Sequence, residues 1–255
     1  FFQYQEQRKS FSAIRFVPTS DIVESLSSIK KKDELALIKK AIDITDNVFS
    51  ELLAIVKPEI SELDISAEIS YLHKSHGAEK DSFEPIVVSG VRGSLPHGRP
   101  SLKKIKRGDM VTLDLGCFYK GYCSDLTRTI AVGNPSAQAK KVYQIVFDAQ
   151  RLAIEAAHSG LSAKKLDGVA RSHIRSKGYG GYFGHGLGHG IGLQIHEYPR
   201  VSTQSTHTLH TGNVITIEPG IYVPKEFGVR IEDDIVIQDD TCRVLTKSPK
   251  ELIVV

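Results

Sequence analysis

The order helix, helix, strands occurs twice along this chain, and that repeat limits the folds open to it. From Asp33 to Val56, the residues Leu35, Ile38, Ile42, Phe49, Leu52 and Val56 recur at spacings of three, four and seven. That is the stripe of an amphipathic helix, with Asp33 as the expected N-cap and Pro58 as the stop. A second helix is expected from Ser61, where Ser61 and Asp64 make a capping-box pattern, to Gly77. β-rich runs follow over 84–90, 110–117 and, after a turn at Gly121, 122–132. The second half keeps this order: Pro135 and Ser136 open a helix to about Ala157, Ser162 caps another that ends at Gly178, and β-rich runs begin at Val214 and Val229. The phrases "ISAEISYLHKSHG" and "LSAKKLDGVARSHIRSKG" occupy matching places and suggest an internal duplication. Sheets covered by helices on one side, an α+β layered fold, are the expected result. Residues 1–28 stand outside the repeat and are expected to be the remnant of a preceding segment, with 29–255 as the main domain.

Composition narrows the functional classes. In 255 residues, 40% are hydrophobic and 25% charged, enough apolar side chain for one sizeable core and too little charge for a disordered chain. The longest apolar stretches are a few residues, against the roughly 20 that a membrane-spanning helix needs, so no membrane association is expected. A formal charge of +3 comes from scattered Lys and Arg, which gives nucleic acid no basic face to bind. Cys117, Cys123 and Cys242 have no CxxC spacing, so neither a disulfide framework nor a thiolate zinc site is indicated, and a reducing, cytoplasmic location is expected.

Four stretches carry polar residues that a β-rich core does not require. In "VTLDLGCFYKGYCSDLTRT", Asp114 and Asp125 interrupt apolar strands. A two-residue turn at Lys120 and Gly121 pairs Tyr119 with Tyr122 and sets Asp125 opposite Gly116. Both carboxylates then fall on one face as diagonal neighbours. Two anions so placed need a shared proton or a cation between them; the alternative is a solvated polar face. The run "GHGLGHGIGLQIHEYPR" sets His185, His189 and His196 among glycines, and spacing alone does not decide which of them binds a metal. Near the C-terminus, "VITIEPG" places Glu218 in a β-branched strand that a Pro-Gly turn is expected to end. "VRIEDDIVI" puts Arg230 and Glu232 on one face of a strand, as a surface ion pair or as site residues. Asp114, Asp125, Glu218, Glu232 and one histidine together supply four carboxylates and one imidazole. This set balances two divalent cations and suits Mn, Co, Fe or Zn. Such a pair activates water for hydrolysis.

The block "HGLGHGIGLQIHE" resembles the signature of the proline-specific peptidases of the pita-bread metallopeptidase fold, prolidase and aminopeptidase P. "LDLGCFYKGYCSDLTRT", "TIEPGIY", "VRIEDDIVI" and "PIVVSGVRGSLPHGRPS" are similar to that family's other blocks, in the same order, from about residue 28 to the end. The resemblance implies that Asp114 chelates one metal, that Asp125 and Glu232 bridge the pair, and that His189 and Glu218 complete the other shell. It implies two divalent ions, Mn first among the candidates. Glu218 would accept the proton of the attacking water, and His97 and His196 would hydrogen-bond the substrate carbonyl. His185 would line the pocket for proline, and Arg230 would hold Glu232. The implied activity is hydrolysis of the Xaa-Pro bond at a peptide N-terminus, the partner being a peptide with proline in second position, and a homodimer is an expectation. Methionine aminopeptidase, which has the same fold and ligands, and an inactive peptide-binding relative are the alternatives.

Overall fold

The computed structural model describes residues 2–11, 13–17 and 19–255; Phe1, Ser12 and Pro18, in the segment expected to be a remnant, lie outside the described residues. Two helices come first, α1 (Phe2–Ser10) and α2 (Ile22–Ser28). The first half follows with α3 (Lys32–Ile55), α4 (Glu62–Ser75), β1 (Lys80–Asp81), β2 (Ile86–Ser89), β3 (Met110–Leu115), β4 (Cys117–Tyr119), β5 (Tyr122–Cys123) and β6 (Leu126–Ala131). The second half contains α5 (Ala137–Ala156), α6 (Ala163–Ser176), β7 (Gly188–Gly190), β8 (Glu197–Val201), β9 (Val214–Ile217), β10 (Gly220–Val223), β11 (Phe227–Arg230), β12 (Asp233–Ile237) and β13 (Cys242–Val244).

Helix boundaries follow local chemistry, with two corrections. The N-cap of α3 is Lys31 rather than Asp33, which sits inside the first turn, where an acid favours the positive end of the helix dipole. Ser162 precedes α6 but makes no side-chain cap bond, whereas Ser136 accepts from the Ala139 N–H at 3.1 Å and Ser61 and Asp64 form the expected box. The expected hairpin is present in the expected register: Tyr119 pairs with Tyr122 across Lys120 and Gly121, both at positive φ (47° and 80°). The same register continues into β3 and β6, where Asp114 pairs with Thr127 and Leu115 with Leu126.

The duplication is visible in the sheets. Antiparallel order β2-β3-β6 in the first half recurs as β7-β9-β12 within the five-stranded sheet of the second. Each half has its own core: Val111, Leu113 and Leu115 on one face of β3 pack under Phe49, Leu52, Ile65 and Ile69 of α3 and α4, while α5 and α6 cover Ile215, Ile217, Ile221 and Val229. The opposite face of α3, through Ile38 and Ile42, packs on Ile191, Val214 and Val236, so one helix ties both halves together. This is the helix-covered, α+β architecture of the pita-bread fold.

Burial departs from simple alternation, because every residue of β3 and β6 is buried. The face carrying Thr112 and Asp114 meets the second half instead of solvent: the Thr112 and Thr129 hydroxyls lie 3.1 Å apart, and Thr129 Oγ1 donates to the Arg230 carbonyl at 3.0 Å. Two strand expectations also change. Pro219 and Gly220 do not end the run in a turn; the chain leaves the five-stranded sheet after Ile217 and enters a two-stranded pairing at Gly220. Likewise the run from Val229 to Ile237 breaks at Ile231 and Glu232. Both breaks fall at the glutamates singled out in the sequence.

Candidate metal centre

A cavity of about 1020 Å³ opens where the two halves meet, and Asp114, Asp125, His189, Glu218 and Glu232 all line it. Asp114 comes from β3 and Asp125 from the residue before β6; Glu218 follows β9 and Glu232 precedes β12, equivalent places in the repeated sheet. Asp114, Asp125 and Glu232 are buried, which excludes the solvated-face reading, and Glu218 is partly open to the cavity. One ligand atom from each of Asp125, His189 and Glu232 lies within 4.8 Å of the others.

His189 is held for one task. Its Nδ1 lies 3.1 Å from the Gly190 carbonyl, which can only accept, so the proton sits on Nδ1 and the Nε2 lone pair is free. Nε2 lies 3.6 Å from Asp125 Oδ2 and 3.5 Å from Glu218 Oε1. Burial, then His196, lowers the His189 pKa to about 4, so the ring is neutral at physiological pH. An imidazole lone pair facing carboxylates invites a cation between them.

The carboxylates point the same way. Asp114 Oδ1, Asp125 Oδ1 and Glu232 Oε1 are buried and have no hydrogen-bond partner among the described residues. Burial, followed by mutual repulsion, raises Asp125 and Glu218 well above the ordinary carboxylate range and Glu232 to about 8. Asp114 is raised less decisively, since burial is opposed by Arg230. Four carboxylates and a neutral imidazole, with oxygen lone pairs left over, fit divalent cations.

Arg230 contradicts one detail of the expected roles. Its Nη2 donates to Asp114 Oδ2 at 2.5 Å, its Nη1 to Tyr222 Oη at 2.8 Å and the Pro96 carbonyl at 3.1 Å. Glu232 is reached only through Thr127, whose hydroxyl accepts from Arg230 Nε at 3.1 Å and donates to Glu232 Oε2 at 2.6 Å. Arg230 thus holds Asp114 directly and Glu232 at one remove.

Around the carboxylates stand the other histidines. His97, His185 and His196 line the same cavity, and the His196 ring lies 4.4 Å from that of His189, edge to face. His185 Nδ1 is 2.7 Å from the Gly186 carbonyl and Nε2 is 2.8 Å from Tyr222 Oη, so this ring too is neutral, with burial first lowering its pKa to about 3. The loop of His196 is pinned by a buried ion pair, Lys30 Nζ to Glu197 Oε2 at 2.7 Å. α2 forms part of the wall through Val23, Glu24 and Ser27.

Several contributors escape sequence reasoning. Tyr222 closes the "TIEPGIY" block and reads as an apolar strand residue, yet its hydroxyl joins His185 to Arg230. Asp234 accepts from the Asp125 N–H at 3.1 Å beneath the carboxylates. Asp167, fully buried, takes two bonds from Arg171 (2.7 and 2.8 Å), and Arg171 donates to the Phe183 and His185 carbonyls, fixing the segment that carries His185. The only local signal among these was the pairing of Asp and Arg at i, i+4.

A buried carboxylate and histidine cluster at the bottom of a cleft defines a metal-dependent hydrolase, and the family model of metallopeptidase family M24 matches residues 36–239. The chain belongs to that family. It is 45% identical over 249 residues to the Xaa-Pro dipeptidase of Pyrococcus horikoshii, covering 98% of this chain and 71% of that protein. Among solved structures, the Xaa-Pro dipeptidase from Bacillus anthracis superposes with a TM-score of 0.96 at 46% identity, covering all of this chain and 72% of that one. The X-Pro aminopeptidase from Thermotoga maritima gives the same TM-score, 0.96, and the same coverage, 100% and 72%, at 40% identity.

Proposed function

We propose that the protein hydrolyses the bond between an N-terminal residue and a following proline, using two divalent metal ions, with Mn the first candidate. The observation that carries this reading is the His189 lone pair aimed between Asp125 and Glu218, with one buried oxygen on each of Asp114, Asp125 and Glu232 lacking a partner among the described residues, in the same cavity as His97, His185 and His196. Xaa-Pro peptidases among the similar proteins support the substrate class.

Asp114, Asp125, His189, Glu218 and Glu232 would hold the ions, which when bound would supply the positive charge that makes water a nucleophile near neutral pH. Glu218, partly open to the cavity, accepts the proton of the attacking water and delivers it to the leaving proline nitrogen. His97 and His196 donate to the substrate carbonyl as negative charge grows on its oxygen. His185, kept neutral and fixed by Tyr222, borders the proline side, and Arg230 keeps Asp114 in place.

Arg200 lines the cavity, and its charge lowers the pKa of both His189 and His196 after the effect of burial. A cation there suits the free carboxylate of a dipeptide and favours Xaa-Pro dipeptides over longer peptides. Residues 29–255 form the catalytic domain. The site of action is the cytoplasm, consistent with three free cysteines, and a homodimer is the assembly. No helix among the described residues is long and apolar enough to cross a membrane.

The test is turnover by Mn-loaded protein of an Xaa-Pro dipeptide, a longer Xaa-Pro peptide and a Met-Ala peptide, with a chelated control. Cleavage of the first, weaker cleavage of the second, and none of the third or after chelation is the expected result. Preference for Met-Ala would identify a methionine aminopeptidase, and inactivity of metal-loaded protein on all three a binding module.

A further inference from the structure

His97 is an exposed residue of the loop between β2 and β3, at the cavity wall. Its position follows the loop backbone. That backbone is fastened to Glu62, the first residue of α4, which has no exposed surface. Glu62 Oε1 accepts from the Ser89 N–H at 2.8 Å and the Ser89 hydroxyl at 2.9 Å. Its Oε2 accepts from Arg92 Nε at 2.9 Å, the Ser101 N–H at 3.2 Å and the Ser101 hydroxyl at 2.7 Å. Ser89 ends β2 and Ser101 lies beyond His97, so one carboxylate fastens both ends of the segment that carries the histidine. Arg92 extends the fastening inward by donating from Nη2 to the Arg99 carbonyl at 2.5 Å. At the tip, the Pro96 carbonyl beside His97 accepts from Arg230. Five donors saturate the Glu62 carboxylate, and none belongs to a residue of the metal centre.

We infer that Glu62 is a positioning residue for catalysis: it sets the loop so that His97 reaches the substrate carbonyl. The inference rests on the reading of His97 as a donor to that carbonyl. A donor must stand about 3 Å from the developing oxyanion, and a misplacement of about 1 Å can cost roughly 10² in rate. Glu62→Gln keeps the size but replaces one acceptor oxygen by an N–H₂ donor, facing either the Ser89 N–H and hydroxyl or the Ser101 N–H and hydroxyl with the Arg92 guanidinium, so the loop must shift.

A double-variant cycle tests this, using Glu62→Gln, His97→Ala and their combination, with kcat, KM, metal content and thermal midpoint measured for each. The expected result is that Glu62→Gln lowers kcat about tenfold or more, with normal metal content and little change in KM. In the His97→Ala background the same substitution should lower kcat less than about twofold, while the thermal midpoint drops equally in both backgrounds. A purely structural Glu62 would move the midpoint and leave the kcat losses multiplicative, which overturns the inference. Normal kcat in folded Glu62→Gln alongside a large loss in His97→Ala also overturns it, and leaves the role of His97 intact. Normal kcat in His97→Ala overturns the role of His97 and this inference together. Should Glu62→Gln fail to fold, Ser101→Ala removes a single bond of the fastening and must show the same dependence on His97, at smaller amplitude.

Discussion

His189 donates through Nδ1 to a backbone carbonyl, and that one bond decides what its other nitrogen is for. Glu218 is the complementary case: burial first, then Glu232, raises its pKa well above normal, and it remains partly open to the cavity where a water could reach it. Glu218→Gln retains size and one oxygen but loses the base, so turnover is expected to fall by about 10² or more while folding persists. Single-turnover kinetics on protein whose metal content has been verified checks this; wild-type rates would assign the proton to another group. The sequence exposed these residues because a charged group inside a β-branched or glycine-rich run is locally conspicuous. Tyr222, Thr127 and Glu62 were not conspicuous, since a tyrosine in a strand, a threonine in a strand and a glutamate at a helix start all satisfy local rules. Only the contacts made across the fold give them their positions.

At the scale of elements, the β3 to β6 hairpin was readable because its two determinants are local: a two-residue turn and the two-residue period of a strand. Together they placed Asp114 and Asp125 on one face. Gly116, opposite Asp125, shows how tight that hairpin is: a Cβ there would lie 2.1 Å from the Ser124 carbonyl oxygen. Gly116→Ala is therefore expected to separate the strands where the two aspartates diverge, lowering both the thermal midpoint and metal stoichiometry, measured by calorimetry and elemental analysis. A variant with both values unchanged would contradict this account of the hairpin. The strand switches at Glu218 and Glu232 were not readable. Pro-Gly after a strand is a turn signal by every local criterion, yet Ile217 pairs with Asp233 and Gly220 with Arg230 in different sheets. The change of sheet is imposed by the neighbouring half, and it turns both glutamates toward the cavity.

Across the whole molecule, the two halves meet through like charges. In the metal-free protein Asp114, Asp125, Glu218 and Glu232 all have raised pKa values, Glu232 to about 8. An unfolded carboxyl titrates near about 4, so up to about 8 these carboxyls bind more protons in the folded state, while below about 6.5 the buried neutral His185 and His189 bind fewer than unfolded histidines and oppose them. From about 6.5 to about 8 the carboxyls act unopposed, and stability of the metal-free protein falls as pH rises. Divalent cations compete with those protons, so their stabilising effect must grow over the same range. Thermal melts at pH 6.5 and pH 8 with and without chelator are expected to show a midpoint lower by at least about 3 °C at pH 8 only in the chelated samples. A chelated protein more stable at pH 8 would refute the account. The buried pair of Lys30 and Glu197 bears on where this chain tolerates being shortened. Helix α3 starts at Lys32, and periodicity alone would allow a cut just before it. Such a cut removes the cation under Glu197, whose side chain is 9% exposed, and leaves a nearly dry carboxylate next to the His196 loop. A shortened chain is therefore expected to need Lys30, a residue that lies ahead of the helix opening the repeat yet neutralises a carboxylate far along the sequence.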